Sequence, residues 1–141
     1  MPTRFSLHTK GNLAYPIQDE INEAVAASGV AEGIAVVAAP HTTAGLGIIS
    51  YHDPLGLEDF MDEMDRLVPS RINFKHEHDT PQDAAGHVKS TIIGPTISLI
   101  VSEGAVLLGH SQKVFFFEFD GPRRRTFTVQ VLGSPAAHAG A

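Results

Sequence analysis

The stretch KVFFFEFDG, residues 113–121, narrows the available folds more than any other in the chain. A strand sends successive side chains to opposite faces. Phe115, Phe117 and Phe119 therefore point one way, and Phe116, Glu118 and Asp120 the other. Two carboxylates share one face at the end of an aromatic strand. On this stretch alone a solvent-exposed edge is expected for them. Were that face buried, the desolvated carboxylates would demand a cation, a proton or a donor.

Other strand signals surround it. TISLIVSEG and AVLLG flank Glu103-Gly104, a hairpin signal, and KVFFFEFDG and RTFTVQVLG read as a second pair joined across Gly121-Pro122. TRFSLHT alternates Phe5 and Leu7 with polar residues, and GIAVVAAP is an apolar run expected to be buried on both faces. PIQDEINEAVAASG reads as an amphipathic helix started by Pro16, with Ile17, Ile21 and Val25 on its stripe and Gly29 as its stop. A second helix follows in HDPLGLEDFMDEMDRLVP, capped by Asp53, with Leu57, Phe60, Met61, Met64 and Leu67 as its apolar stripe. SRINFKHEHDTPQ has no period and reads as a loop. DAAGHVKSTIIG reads as a short helix with Asp83 as N-cap and Gly94 at its end. Helices and antiparallel hairpins come in blocks rather than in βαβ alternation, which predicts the α+β class. The expectation is one compact domain over residues 1–133, with antiparallel sheet layers and about three helices. A flexible tail is expected over 134–141.

Composition restricts function more than fold. The formal net charge is −6, which argues against a general nucleic-acid or membrane-surface binder; any bound anion needs a local cluster. With no cysteine, disulfides, thiolate metal sites and cysteine nucleophiles are excluded. The start lacks a signal-peptide core, and no segment approaches the roughly 20 apolar residues of a membrane span, so a cytoplasmic location is expected. No GxGxxG, P-loop or GxSxG motif is present.

Eight histidines are the unusual feature. His41 opens HTTAG directly after an apolar run, where it caps a strand or forms the lip of a site. His76, His78 and His87 lie close together, while His52 and His110 stand apart and His138 falls in the tail. Three imidazoles suffice for an open metal site, yet no histidine pair has the spacing of a local zinc motif such as HExxH. His87 is expected in the first turn of the helix beginning near Asp83. There it could instead pack or bond to a carboxylate. In GPRRR, Arg123 and Arg124 are expected in the turn and Arg125 in the strand. Guanidinium forks suit phosphate or carboxylate, or could pair with Glu118 or Asp120.

HTTAG, the Asp53-Pro54 helix start, His78-Asp79, AAGHVKSTIIG, VSEG, LLG…Q and FFEFDGPRRR together resemble the YjbQ-like family in order and spacing, from about Phe5 to Gly133. The resemblance implies a small α+β protein forming a homotrimer, with a site at or near the subunit boundary. It also implies a thiamine-phosphate synthase activity, in which an aminopyrimidine pyrophosphate joins a thiazole phosphate. Carried over residue by residue, His41, His78 and His87 become the metal ligands, with His76 a rival to His78. Glu118, paired with Asp120, would orient a ligand or handle a proton. Thr42, Thr43, Gly45, Arg123 and Arg124 would hold phosphate. The implied cofactor is a divalent metal: imidazoles suit zinc, whereas pyrophosphate departure more commonly uses magnesium.

Two segments depart from the family pattern. Ile49, Ser50 and Tyr51 stand where an Asn-Glu-Asn type segment is common, and Gly109, His110, Ser111 and Gln112 replace Gly-Thr-Trp-Gln. His110 could take over there as a ligand or proton donor. The expected partner is a small phosphorylated metabolite. The alternatives are a metal-dependent hydrolase of such a metabolite, or a non-catalytic trimer that binds a metal or an anion.

Overall fold

Residues 1–136 are described by the computed structural model, so most of the expected tail, with His138, lies outside the described residues. The chain runs β1 (Thr3–His8), β2 (Ala14–Pro16), α1 (Gln18–Ser28), β3 (Val30–Ala38), β4 (Ala44–Ser50), α2 (Pro54–Leu67), α3 (Pro81–Ile93), β5 (Thr96–Ser102), β6 (Ala105–Val106), β7 (Gln112–Glu118) and β8 (Arg124–Pro135). The strands make two antiparallel sheets, one ordered β1-β8-β3-β5-β6 and the other β2-β7-β4. With its three helices this is the expected α+β arrangement.

The two aromatic strands are not partners. β7 pairs with β2 and β4, whereas β8 pairs with β1 and β3. Residues 119–123 carry the chain from one sheet to the other, with a cis peptide at Gly121-Pro122. This partition explains why phenylalanines occupy both faces of β7. Phe116 packs with Ile21, Val25, Val37 and Phe127 in the main core, while Phe115, Phe117 and Phe119 pack against Met61 and Met64 of α2. Each such ring contributes roughly 1.5–3 kcal/mol on burial.

Several local expectations change. Pro16 closes β2 opposite Phe115 instead of opening α1, whose N-cap is Ile17; Gly29 does stop the helix, at a φ of 74°. β3 is buried on one face only: Ala35 and Val37 point inward, and Ile34 and Val36 are exposed. GLGIIS, to which the sequence assigns no element, is part of β4; its glycines leave only Leu46 and Ile48 to mark the alternation. β8 runs through Pro135, so residues 134 and 135 belong to the sheet and not to a tail. Helix α2 is capped as expected by Asp53, whose Oδ1 accepts the Leu55 N–H at 2.9 Å.

Helix α3 starts earlier than expected. Thr80, not Asp83, is its N-cap and accepts the Asp83 N–H at 3.1 Å. Pro81 then fills the first turn, which moves His87 to the second turn. Small residues let α3 lie close on β4. A Cβ on Gly86 would sit 3.1 Å from the Phe119 carbonyl oxygen and 3.1 Å from Thr43 Cγ2. The Ser90 hydroxyl donates to the Ala44 carbonyl at 2.6 Å and completes the contact.

Candidate functional site

On α3, Asp83 and His87 stand four residues apart and so share one face. The loop between α2 and α3 brings His76 to the same point. His76 Nε2 and His87 Nε2 each lie 3.1 Å from Asp83 Oδ2. All three candidate ligand atoms fall within 4.8 Å of one another, and Asp83 is only 7% exposed. Ligand atoms around a tetrahedral zinc at about 2.0–2.1 Å stand roughly 3.3 Å apart, so the spacing fits a metal. The surroundings fit as well. His87 Nδ1–H donates to the Thr42 carbonyl at 3.1 Å, which directs the Nε2 lone pair toward Asp83 and His76. Two imidazoles and one carboxylate suit zinc or a related ion better than magnesium, which prefers an oxygen shell.

This set differs from the one that the resemblance implies. His41 Nε2 meets the Thr126 backbone, 2.9 Å from its nitrogen and 3.1 Å from its carbonyl oxygen, and His41 is not among the clustered ligand atoms. Burial, followed by the nearby Arg125 charge, holds the His41 ring below its ordinary pKa. His41 therefore fastens the HTTAG loop to β8. His78 is exposed and meets the cluster only through His76, their ring centres 6.3 Å apart. Asp83 was legible only as a cap. Its signal was the Asp-to-His step of four residues in DAAGH, which a search for histidine pairs passes over.

Behind the cluster lies a buried polar network. Glu118 is 0% exposed, so the exposed-edge expectation fails. Its carboxylate accepts from Arg125 Nε at 2.7 Å, Arg125 Nη2, the Thr9 hydroxyl at 2.9 Å and the Asp120 N–H at 2.9 Å. Burial alone would raise the Glu118 pKa. The Arg125 hydrogen bonds, the Asp120 and Thr9 donors and the Arg125 charge together bring it below the ordinary value. With every oxygen engaged and no solvent path, Glu118 is an anchor and not a proton-transfer group. Asp120 is likewise buried, accepting from Gln82 at 2.9 Å and Arg123 at 2.8 Å. Burial raises its pKa, but these donors outweigh it and leave the carboxyl below its usual range.

The remaining predicted residues are dispersed. The Thr43 hydroxyl accepts from Arg125 at 2.8 Å, and Gly45 is buried in β4 against Ile93, so neither presents a donor to a ligand. Thr42 reaches the cluster through its carbonyl alone. Arg123 is tied to Asp120 but half-exposed near Asp83, while Arg124 is exposed at the start of β8. His110 lies just before β7, at the end of the strand opposite to Glu118. There it neighbours His52, with ring centres 5.9 Å apart, and lines a separate cleft with Tyr51 and Lys113. Among the described residues, the cleft beside the metal-type cluster measures about 530 Å³ and is lined by Arg71, Phe74, Lys75, His76, His87 and Val88. Sequence alone leaves Arg71, Phe74 and Lys75 unassigned, because their loop has no period.

Residues 3–134 match the family model described as UPF0047 protein YjbQ-like. The chain belongs to this family. Among its relatives, a UPF0047 protein of Methanocaldococcus jannaschii is 41% identical over 113 residues, covering 80% of each chain. The UPF0047 protein YugU of Bacillus subtilis is 34% identical over 127 residues, covering 89% of this chain and 93% of its own. Solved structures agree on the fold. A hypothetical protein of Aeropyrum pernix K1 superposes with a TM-score of 0.88 at 29% identity, over 95% of this chain and 99% of that one. A protein of unknown function from Sulfolobus solfataricus P2 reaches 0.88 at 26% identity, over 95% and 97%. The UPF0047 assignment thus covers nearly the whole chain.

Proposed function

We propose that this UPF0047 protein is a metal-dependent enzyme acting on a small phosphorylated metabolite, with His76, Asp83 and His87 holding the metal. The convergence of both imidazoles on one nearly buried Asp83 oxygen carries this reading. A bound zinc-type ion supplies Lewis acidity and an open position for water or a ligand oxygen. The chain's own residues do the rest. The Thr42 carbonyl orients His87, and the Glu118–Arg125 pair fixes the loop that carries Thr42 and Thr43. Thiamine-phosphate-synthase-type transfer is the first reaction to assay. Hydrolysis of a phosphorylated metabolite is the second reading, favoured by a donor set better suited to activating water than to holding magnesium.

Homotrimer formation belongs to the same proposal. Ile100, Ile34 and Leu132 lie directly across from one another on the outer face of the five-stranded sheet, 61%, 52% and 67% exposed. Such a row is what an interface between copies would cover. Cytoplasmic residence is part of the proposal too, and among the described residues no helix is long and apolar enough to cross a membrane.

Elemental analysis of the untagged protein, purified under metal-retaining conditions, tests the central claim. Near-stoichiometric zinc or a similar metal is expected, lost in His76→Ala and His87→Ala and kept in His41→Ala. Metal absent from the parent protein even after adding it back, or lost only in His41→Ala, would sink the assignment.

A further inference from the structure

The cleft next to the metal-type cluster has a wall that the proposed function leaves unused. Arg71, Phe74 and Lys75 sit on the loop that delivers His76, and all three line the same cleft as His76 and His87. The Arg71 guanidinium lies over the Phe74 ring, 4.5 Å from its centre. A cation–π contact of this kind restrains the guanidinium, whose N–H groups suit a two-point contact with an oxyanion. Among the described residues, neither Arg71 nor Lys75 takes part in an ion pair or a side-chain hydrogen bond, whereas Arg66, Lys89, Arg123 and Arg125 each have a carboxylate partner. Among the described residues Arg4, Lys10, Lys113 and Arg124 also make no ion pair, but of these free cations only Arg71 and Lys75 line this cleft. The loop's own carboxylates, Glu77 and Asp79, are not in this lining; they line an adjoining cleft that shares Arg71, Phe74 and His76 with it.

Resting on the metal-site reading above, we infer that Arg71 and Lys75 form the oxyanion-binding wall of the site and select ligands by a phosphate or carboxylate end. Phe74 and Val88 give the same cleft an apolar side. A ligand would thus place its charged end between the two cations and the metal, with its carbon skeleton on Phe74. Arg71 and Lys75 act in specificity: they grip an end of the ligand and leave the metal ligands untouched. The residues that the family resemblance offers for this task, Arg123 and Arg124, are respectively tied to Asp120 and placed outside the cleft lining.

The test uses the zinc-loaded full chain, titrated calorimetrically with inorganic phosphate and separately with acetate, with metal content measured on the same samples. Phosphate binding is expected to weaken at least tenfold in Arg71→Gln and in Lys75→Gln, with metal content unchanged. Both positions are exposed loop residues. Arg66→Gln, on the surface of α2 and paired with Glu63, serves as a charge control and is expected to bind phosphate as the parent does. Acetate binding as tight as phosphate binding, with the same dependence on Arg71 and Lys75, would support the wall and identify a carboxylate end. Phosphate bound equally by parent and variants, or by none of them, overturns the wall while the metal content still stands. A parent protein that takes up no zinc overturns the site reading itself, and the wall with it.

Discussion

Arg125 and Glu118 are seven positions apart in sequence but on strands of different sheets, and both are buried. Removing one partner leaves the other charge in a dry interior, so Arg125→Met is expected to cost about 3–5 kcal/mol in chemical denaturation. The pH dependence follows from the lowered Glu118 pKa. A group whose folded pKa is depressed adds stability above its unfolded value, near 4.3, and that stability is lost as pH falls through the folded value. The stability gap between the parent and Glu118→Gln should therefore be constant from pH 6 to 8 and shrink as pH drops below about 4. A gap that widens on acidification would show that Glu118 is not held as a carboxylate. Alternation in VFFFEFD placed Glu118 opposite the Phe115 face, but nothing in those residues reported that a second sheet would bury it. Asp83 shows the converse limit, since a residue that looked like a helix cap lies within the first turn and becomes a candidate ligand.

At the scale of elements, α3 is set by what it lacks. Gly86 admits the helix to contact with Thr43 and the Phe119 carbonyl, so Gly86→Val should push α3 outward and displace Asp83 and His87. A loss of about 1–3 kcal/mol and a reduced metal content are expected, read by thermal denaturation and elemental analysis. Gly56 on α2 is the contrasting case: open space surrounds it, and Gly56→Ala should raise stability by about 0.5–1 kcal/mol. Helices were legible because their stripes, prolines and stop glycines are local signals, as in Leu57–Leu67 with Asp53 and Pro54 before it. Strand β4 was not, because glycines erased its alternation. The pairing of β7 with β8 was expected and is absent, because a Gly-Pro step between two strands looks the same whether the chain turns back or crosses to another sheet.

For the whole molecule, the α+β class and the single family-wide match followed from the order of segments, while assembly leaves only a faint trace in one chain. The GIAVVAAP run looked buried on both faces, yet Ile34 and Val36 are exposed in the lone chain. If the outer face is covered by other copies, both statements hold at their own level. Ile100→Lys and Leu132→Lys should then shift the mass measured by light scattering from trimer toward monomer, with the circular dichroism spectrum unchanged. A trimer mass that persists in the double variant would exclude this face.

Apart from the bond between its last residue, Asp79, and the adjacent Thr80 N–H, the loop over residues 69–79 reaches the rest of the described protein by one side-chain hydrogen bond, from His76 to Asp83, whereas the HTTAG segment is tied down by β8, α3 and the crossover at once. In a hydrogen-exchange experiment these would separate into two populations of amides. Those near Thr43 and Phe119 should exchange only when the whole domain opens, and those of the loop through small local openings. One candidate ligand, His76, would then sit on a fast-exchanging segment and two, Asp83 and His87, on a slow one. Metal uptake would register as newly slowed exchange across residues 70–79 and almost nowhere else.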